Sequence, residues 1–300
     1  MHRSNSWPVD KWFRTDPVED IRSDSSTSSG LLVTGMRTKG FNYETELSAV
    51  PVCHTLSGMA YRLMKAVLGP ILRLLFKVRV EGIENVPATG PVILASNHLS
   101  FSDSIFLPLV LKRRVTFVAK AEYFEQRKTA WFFRATGQIP VKRGGGPASQ
   151  RALDAAQEVL DAGGVFAIYP EGTRSPDGRL YKGRTGVARL ALDAKSPVVA
   201  VAMIGTREAQ PIGQIKPNFF SPVTIKFSKP MSFERYANRR DDALTVRSIT
   251  DEIMFELVHL SGQTYVNEYA PKKQTDPGEL VELRPAQVRT SDEQPVLASV

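Results

Sequence analysis

A histidine and an aspartate five positions apart are the first residues in this chain whose types and spacing suit catalysis. His98 and Asp103 lie in the segment ASNHLSFSDS at residues 95–104. A continuous helix would place side chains five positions apart on different faces, so the two can meet only if a turn separates them. An imidazole held by a carboxylate keeps one tautomer and leaves its second nitrogen free to accept a proton. The pair is therefore a candidate general base with an orienting acid.

The chain shows no familiar nucleophile for such a base to activate. Its 300 residues contain no Gly-x-Ser-x-Gly elbow, the turn that carries the serine of many hydrolases. We therefore expect the attacking hydroxyl to belong to the substrate, which predicts group transfer onto an alcohol. A structural interpretation of the same segment also stays open. Asp103 favours a helix N-terminus, Ser100 or Ser102 can cap that helix, and the histidine can be a hydrogen-bonded turn residue.

Two further segments place polar residues after apolar runs. YPEGTRSPDG at residues 169–178 combines Gly172, which permits close backbone approach, with Arg174, whose planar fork of donors suits a phosphate monoester. GQIPVKRGGGP places Lys142 and Arg143 at another strand end, and no Gly-Lys-Ser/Thr follows to make a nucleotide-binding loop. A β-turn with a surface Glu–Arg pair is the structural alternative for the first of these segments.

The elements that must position these residues alternate between short apolar runs and helical patterns. That alternation predicts an α/β fold of one domain, with a mainly parallel central sheet flanked by helices. Polar side chains at the strand ends of such sheets commonly line the ligand crevice. The candidate strands are KVRVEG, PVILASN, VTFVAK, QIPVKR, VFAIYP, PVVAVAMIG and PVTIKFS. The candidate helices lie near residues 103–112, 122–134, 148–161, 184–195 and 241–261.

Four segments together resemble the glycerolipid acyltransferase family, in particular the 1-acylglycerol-3-phosphate acyltransferases. NHLSFSD, GQIPVKR, YPEGTRS and VVAVAMIGT match the four blocks of that family in order and approximate separation, across residues 97–206. The resemblance implies that His98 is the catalytic base and that Asp103 orients it. It also implies an acceptor site that holds the glycerol phosphate, formed by Lys142, Arg143, Glu171, Gly172, Thr173 and Arg174. The fourth block is apolar, and we interpret it as a core strand.

The implied reaction transfers a fatty acyl group from a thioester to the free hydroxyl of a lysophosphatidate, without an acyl-enzyme. The thioester is carried by coenzyme A or acyl carrier protein, and the acceptor could also be glycerol 3-phosphate or another polar lipid. Glu171 either binds a glycerol hydroxyl or positions Arg174. No metal or other cofactor is expected, because the single cysteine, Cys53, and four scattered histidines show no zinc-ligand spacing.

The positive charge of the chain and the insolubility of its expected substrate both point to a membrane surface. The formal net charge is +8, which favours an anionic partner. Residues 57–78 carry Arg62, Lys65, Arg73 and Lys77 near one helical stripe, with apolar residues elsewhere. We expect this segment to be an amphipathic helix that docks on anionic lipid, peripherally or monotopically, on the cytoplasmic side of the cell membrane. A core-packing helix with a solvated face is the alternative.

The remaining expectations concern domain limits and rival functions. Residues 1–50 are predicted to be disordered, 51–263 to form the acyltransferase domain, and 264–300 to be a tail. No helix-turn-helix, zinc-finger or RRM signature supports nucleic-acid binding, so no nucleic-acid partner is expected. A catalytically silent lipid-binding or scaffolding protein is the other class considered. The sequence makes no prediction of oligomeric state.

Overall fold

The computed structural model describes residues 56–271, except 126–129, 131–132, 135, 142–145 and 215. The predicted disordered segment 1–50 lies outside the described residues. So do Lys142 and Arg143, the two basic residues of the predicted second block, and the part of the predicted tail that follows residue 271.

Strands and helices alternate along most of the chain. The strands are β1 Lys77–Glu81, β2 Val92–Ser96, β3 Val115–Lys120, β4 Ile139–Val141, β5 Val165–Ile168, β6 Leu180–Tyr181, β7 Val198–Ile204, β8 Pro222–Phe227 and β9 Tyr265–Val266. The helices are α1 Leu56–Leu75, α2 Asp103–Val110, α3 Glu122–Glu125, α4 Gly146–Asp161, α5 Gly186–Asp193, α6 Thr206–Ala209 and α7 Ala243–Ser261. Short 3₁₀ helices cover Ile83–Asn85 and Glu234–Arg239.

The central sheet has seven strands in the order β1-β8-β7-β2-β5-β3-β4. Every neighbouring pair is parallel except β7 and β8, which are antiparallel. All seven candidate strands are therefore confirmed, as is the mainly parallel sheet. A second, two-stranded sheet pairs β6 with β9 in parallel.

Helices cover both faces of the large sheet, and β2 shows how its residues divide between them. Val92 and Leu94 join one core cluster with Phe106 and Leu107 of α2, whereas Ile93 joins another with residues of α4, α5 and α7. All these strand side chains are fully buried. Because successive residues of a strand point to opposite faces, a strand covered on both sides is apolar at every position. Each buried aliphatic side chain contributes about 1.5–3 kcal/mol of transfer free energy.

Four of the five candidate helices lie within two residues of their predicted limits. α7 begins after Asp242, whose side chain accepts a hydrogen bond from the Leu244 N–H, and ends at Gly262 in the left-handed conformation. These two residues are ordinary helix start and stop signals. The candidate helix 122–134 begins at Glu122 as predicted, and much of its remainder lies outside the described residues.

The structure corrects the charge pattern predicted for residues 57–78. α1 ends at Leu75, and Lys77 begins β1 instead of continuing the helix. Lys65 does not lie on a solvated stripe, because its amine is buried. This burial lowers the pKa of Lys65, and the positive charge of Arg73 lowers it further. Of the four predicted basic residues, only Arg62 and Arg73 are exposed on the helix.

The predicted tail also begins too early. Tyr265–Val266 is a strand paired with Leu180–Tyr181, and the Leu180 N–H donates to the Thr264 carbonyl at 3.0 Å. The Lys182 N–H then donates to the Glu268 carbonyl at 2.9 Å. Residues 264–268 are therefore part of the folded domain. The strand is only two residues long, so its sequence carries no periodic signal; backbone pairing with β6 and packing of Tyr265 on the core hold it in place.

Candidate active site

Two neighbouring parallel strands bring the predicted catalytic and binding segments together. β2 and β5 pair in register with Ala95 opposite Ile168. His98 follows Ala95 by three positions and Glu171 follows Ile168 by three, so both segments leave the sheet at the same edge and the same height. The carboxyl ends of parallel strands are where α/β proteins form their ligand crevices.

His98 and Asp103 form the predicted pair. The His98 Nδ1 atom lies 2.9 Å from the Asp103 Oδ2 atom, and the aspartate side chain is fully buried. Oδ2 also accepts hydrogen bonds from the Leu99 and Ser100 N–H groups, each at 2.8 Å. The strand-to-helix turn thus wraps around the first residue of α2. This turn meets the condition set by the five-residue spacing, and the carboxylate holds the imidazole and the turn at once.

The imidazole of His98 is fixed in a second direction by an aromatic ring. Tyr169 stacks on it with ring centroids 3.8 Å apart and planes 10° from parallel. The Tyr169 hydroxyl lies 2.8 Å from the Ser104 Oγ atom. Burial, together with the negative charge of Asp103, raises the pKa of Tyr169 well above its ordinary value, so the phenol stays neutral. The histidine side chain keeps 16% exposure, and its Nε2 atom has no hydrogen-bond partner among the described residues.

Glu171 connects the two segments instead of facing a ligand. Its side chain is 1% exposed. One carboxylate oxygen accepts from the His98 N–H at 3.2 Å, and the other accepts from the Tyr181 N–H at 3.0 Å. Burial raises the pKa of Glu171 to about 7, against the lowering effect of these two hydrogen bonds. Both oxygens are committed to the backbone, so this placement does not support the predicted contact with substrate.

The Glu-Gly-Thr-Arg loop lies against the histidine turn through its backbone. The Ser175 N–H donates to the His98 carbonyl at 2.7 Å, and the Gly172 N–H donates to the Tyr169 carbonyl at 2.9 Å. Gly172 has φ +73°, and a Cβ atom there would lie 3.0 Å from the Arg184 Nε atom. Glycine is favoured at this position, since other residues are strained at positive φ.

The basic side chains in and after the Glu-Gly-Thr-Arg loop differ in whether a carboxylate neutralises them. Arg179 pairs with Asp177 at 2.6 Å. Arg174 is half-buried and makes no hydrogen bond or ion pair with another described residue. Lys182 and Arg184 lie over the Tyr269 ring, at 5.8 and 5.2 Å from its centroid. The loop therefore offers positive charge that no described carboxylate neutralises, as an anion-binding site requires.

Several positioning residues were missed from the sequence. Asn97 donates to the Met203 carbonyl and accepts from the Met203 N–H, which ties β2 to β7. Gln263 accepts from Asn97 at 2.6 Å and donates to the Gly178 carbonyl at 2.7 Å. Arg207 donates to the Ser175 and Pro176 carbonyls. Asn97 stood inside a recognised block, but nothing near Gln263 in the sequence signals its role.

The fourth block is a core strand, as interpreted. Residues 198–203 of β7 are all fully buried, between β2 and β8 in the sheet. No group of three or more His, Cys, Asp or Glu side chains with metal-binding geometry occurs among the described residues. The site therefore consists of a buried His–Asp pair, a neutral phenol beneath the imidazole, and a cationic loop beside it.

Comparisons with known proteins show which family and fold this chain resembles. Residues 77–204 match the sequence model of the family described as Acyltransferase. The chain is 33% identical over 139 residues to the chloroplastic 1-acyl-sn-glycerol-3-phosphate acyltransferase LPAT1 of Arabidopsis thaliana. The aligned residues make up 46% of this chain and 39% of that protein. The chain thus spans about two fifths of the length of this relative.

A bacterial relative and a solved structure extend the comparison. The 1-acyl-sn-glycerol-3-phosphate acyltransferase of Bacillus subtilis is 30% identical over 148 residues, or 48% of this chain and 71% of that protein. The crystal structure of the 1-acyl-sn-glycerophosphate acyltransferase PlsC from Thermotoga maritima superposes with a TM-score of 0.51 and 26% identity. It covers 68% of this chain and 79% of that one. On these sequence and fold similarities, the chain belongs to the acyltransferase family that contains the 1-acyl-sn-glycerol-3-phosphate acyltransferases.

Proposed function

We propose that this chain transfers a fatty acyl group from an acyl thioester to the free hydroxyl of 1-acylglycerol 3-phosphate, which forms phosphatidic acid. The observation that carries the proposal is the His98–Asp103 contact of 2.9 Å at the edge of the sheet, beside the Glu-Gly-Thr-Arg loop. The reaction requires two parts. One is a base that a buried carboxylate orients, and the other is an arginine that no carboxylate neutralises. The relatives named above support this choice of acceptor.

The geometry supports direct transfer between the two substrates. The Nε2 atom of His98 accepts the proton of the acceptor hydroxyl, and the oxygen attacks the thioester carbonyl carbon. The carbon–sulfur bond breaks as the new ester bond forms, and the imidazolium returns the proton to the departing thiolate. Asp103 stabilises the imidazolium that exists between these two proton transfers. The Tyr169 ring presents its face to the same cation, which adds a favourable cation–π contact.

The acceptor is held through its phosphate. Arg174 provides a bidentate donor fork for a phosphate monoester, and Lys142 and Arg143 are proposed as its partners in the same site. Gly172 and Thr173 provide backbone close to the ligand. Glu171 acts as a positioning residue, since it fixes the backbone of His98 relative to this loop. The hydroxyl is thereby oriented toward the base, and such orientation is a large part of the catalytic effect.

The donor and the place of reaction are also proposals. Either acyl-CoA or acyl-acyl carrier protein can supply the thioester, and glycerol 3-phosphate is the second candidate acceptor. Within the described part of the chain, no helix has both the length and the apolar character to cross a bilayer. We place the enzyme on an anionic membrane surface through α1, because the proposed substrate resides in lipid and two exposed residues of this helix are cationic.

A turnover assay with a matched histidine control tests this function. Purified protein would be given labelled acyl-CoA or acyl-acyl carrier protein with a panel of lysophospholipids and glycerol 3-phosphate. His98→Ala should lower turnover by at least about 10³-fold, the scale expected when a general base is lost. His259→Ala alters an exposed histidine on α7 and should leave turnover unchanged. A His98→Ala protein that keeps a tenth of wild-type turnover, or a stable acylated protein, contradicts the mechanism.

A further inference from the structure

α1 exposes a continuous apolar row that the core does not use. Leu63, Val67, Ile71 and Leu74 are 66%, 52%, 43% and 78% exposed. At 3.6 residues per turn these four positions fall within about 80° of the helix circumference. A different side of the helix packs on the protein, through Tyr61, Leu72 and Leu75. The helix is therefore apolar on two sides, and only one of them has a described partner.

A second exposed apolar feature comes from a distant part of the chain. Phe219 and Phe220 are 51% and 64% exposed. Phe220 has φ +65°, in the left-handed region that bulky residues rarely adopt. Two adjacent aromatic rings are thus held outward by a backbone conformation that is unfavourable for one of them. Both residues lie beyond residues 77–204, the part that matches the family model.

Backbone hydrogen bonds fasten this pair to the end of α1. The Phe220 N–H donates to the Leu75 carbonyl at 2.6 Å, and the Lys77 N–H donates to the Ser221 carbonyl at 3.3 Å. The Phe219 ring lies 5.9 Å from the Phe76 ring, centroid to centroid. Since Leu74 ends the exposed row one residue before Leu75, the pair and the row meet there and form one surface.

The same loop reaches the active site at its other end. The Ser100 hydroxyl donates to the Gln210 carbonyl at 2.8 Å. Ser100 is itself one of the residues whose N–H groups hold Asp103. The segment from Gln210 to Phe220 therefore runs from the catalytic turn to the end of α1.

The charges around this surface identify its occupant. Four exposed cations lie near this surface: Arg62 and Arg73 on α1, Lys77 just after it, and Lys216 three residues before Phe219. Aromatic and aliphatic side chains bordered by cations suit the interface of a bilayer that contains anionic lipid. We propose that Phe219 and Phe220 insert into the membrane interface together with the exposed row of α1, so that the catalytic turn faces the bilayer. This deepens the membrane placement proposed above by adding Phe219 and Phe220 to the docking surface, and it does not depend on the roles proposed for His98 or Arg174.

Vesicle flotation tests the aromatic pair against another exposed phenylalanine. The probes are vesicles of phosphatidylcholine alone or mixed with phosphatidylglycerol, without substrate. Phe219→Ser/Phe220→Ser should weaken partitioning about tenfold or more, because two aromatic rings no longer leave water. Phe255→Ser is the control, since Phe255 is 72% exposed on α7, on the opposite face of the sheet. It should partition like wild type.

A fluorescence measurement keeps the proposal testable if the double variant folds poorly. In a chain whose three native tryptophans are replaced by phenylalanine, Phe220→Trp should show a blue-shifted emission, and quenching by brominated lipid, only when anionic vesicles are added. Two results overturn the proposal. One is that Phe219→Ser/Phe220→Ser, folded by circular dichroism, floats as well as wild type. The other is that the Phe220→Trp emission is already blue-shifted without vesicles and does not respond to them, which places residues 1–55 or a second copy of the chain on this surface. Neither readout involves turnover, so failure here leaves the acyltransferase proposal unaffected.

Discussion

Replacing Glu171 with glutamine should remove a pH dependence from folding stability. Burial raises the pKa of this carboxyl from 4.5 to about 7 in the folded protein. Between these two pH values the folded state keeps a proton that the unfolded chain has released. The associated stability is therefore complete below pH 4.5 and is lost as the pH rises through about 7. Because one pKa unit corresponds to about 1.4 kcal/mol, the loss is about 3 kcal/mol.

Glutamine at this position is neutral at every pH and accepts hydrogen bonds at only one of its two terminal atoms. One of the two backbone N–H groups, that of His98 or that of Tyr181, would face an amide N–H₂ group, which costs about 1–3 kcal/mol. Wild type should therefore be more stable than Glu171→Gln below pH 4.5, and this advantage should shrink by about 3 kcal/mol by pH 8.

Urea unfolding of both proteins across this pH range measures the difference in free energy of unfolding. Glu158→Gln is the matched control, since Glu158 is exposed on α4. It should differ from wild type by less than about 0.5 kcal/mol throughout. A Glu171→Gln difference that stays constant from pH 4.5 to 8 would show that the carboxyl is ionised across the range. In that case the two backbone hydrogen bonds, and not burial, dominate its titration.

Substitutions at three further positions test other parts of the site. Asp103→Asn should lower turnover about 10⁴-fold through loss of imidazole orientation, with lysophosphatidate binding, measured separately, little changed. Arg174→Ala should raise the KM of the acceptor at least about tenfold, and Arg174→Lys should restore little because the planar fork is lost. An equal rise in the KM of the thioester would instead mean that Arg174 acts in folding or in donor binding. Gly172→Ala should destabilise the protein by about 1–2 kcal/mol, because φ is positive and Arg184 is close, and an unchanged urea midpoint would contradict this.

The strands of the central sheet and the contact between His98 and Asp103 followed from local sequence. Every candidate strand was a short segment rich in β-branched residues and bounded by turn or charged residues, and such segments favour strands. His98 and Asp103 are separated by only five positions, so a single turn decides whether they meet. Their contact could therefore be predicted without knowledge of distant residues.

The electrostatics of the site required the tertiary structure. The sequence assigned Glu171 to the acceptor site, but its burial and its two backbone partners depend on how β2, β5 and β6 pack together. Tyr169 stood in a recognised block, yet its position beneath the imidazole follows from the pairing of β2 with β5. Gln263 reaches the site only because the chain after α7 pairs with β6.

The same distinction holds for the surface of α1. Periodicity predicted an amphipathic helix at residues 57–78, but it could not show that Lys65 would be buried while Leu63 and Leu74 are exposed. Nor could it place Phe219 and Phe220 at the end of that helix, since more than 140 residues separate them from Leu75 along the chain. A sequence pattern specifies which side chains share a face of one element. Only the packing of elements from distant parts of the chain decides which of those faces meets protein and which remains open.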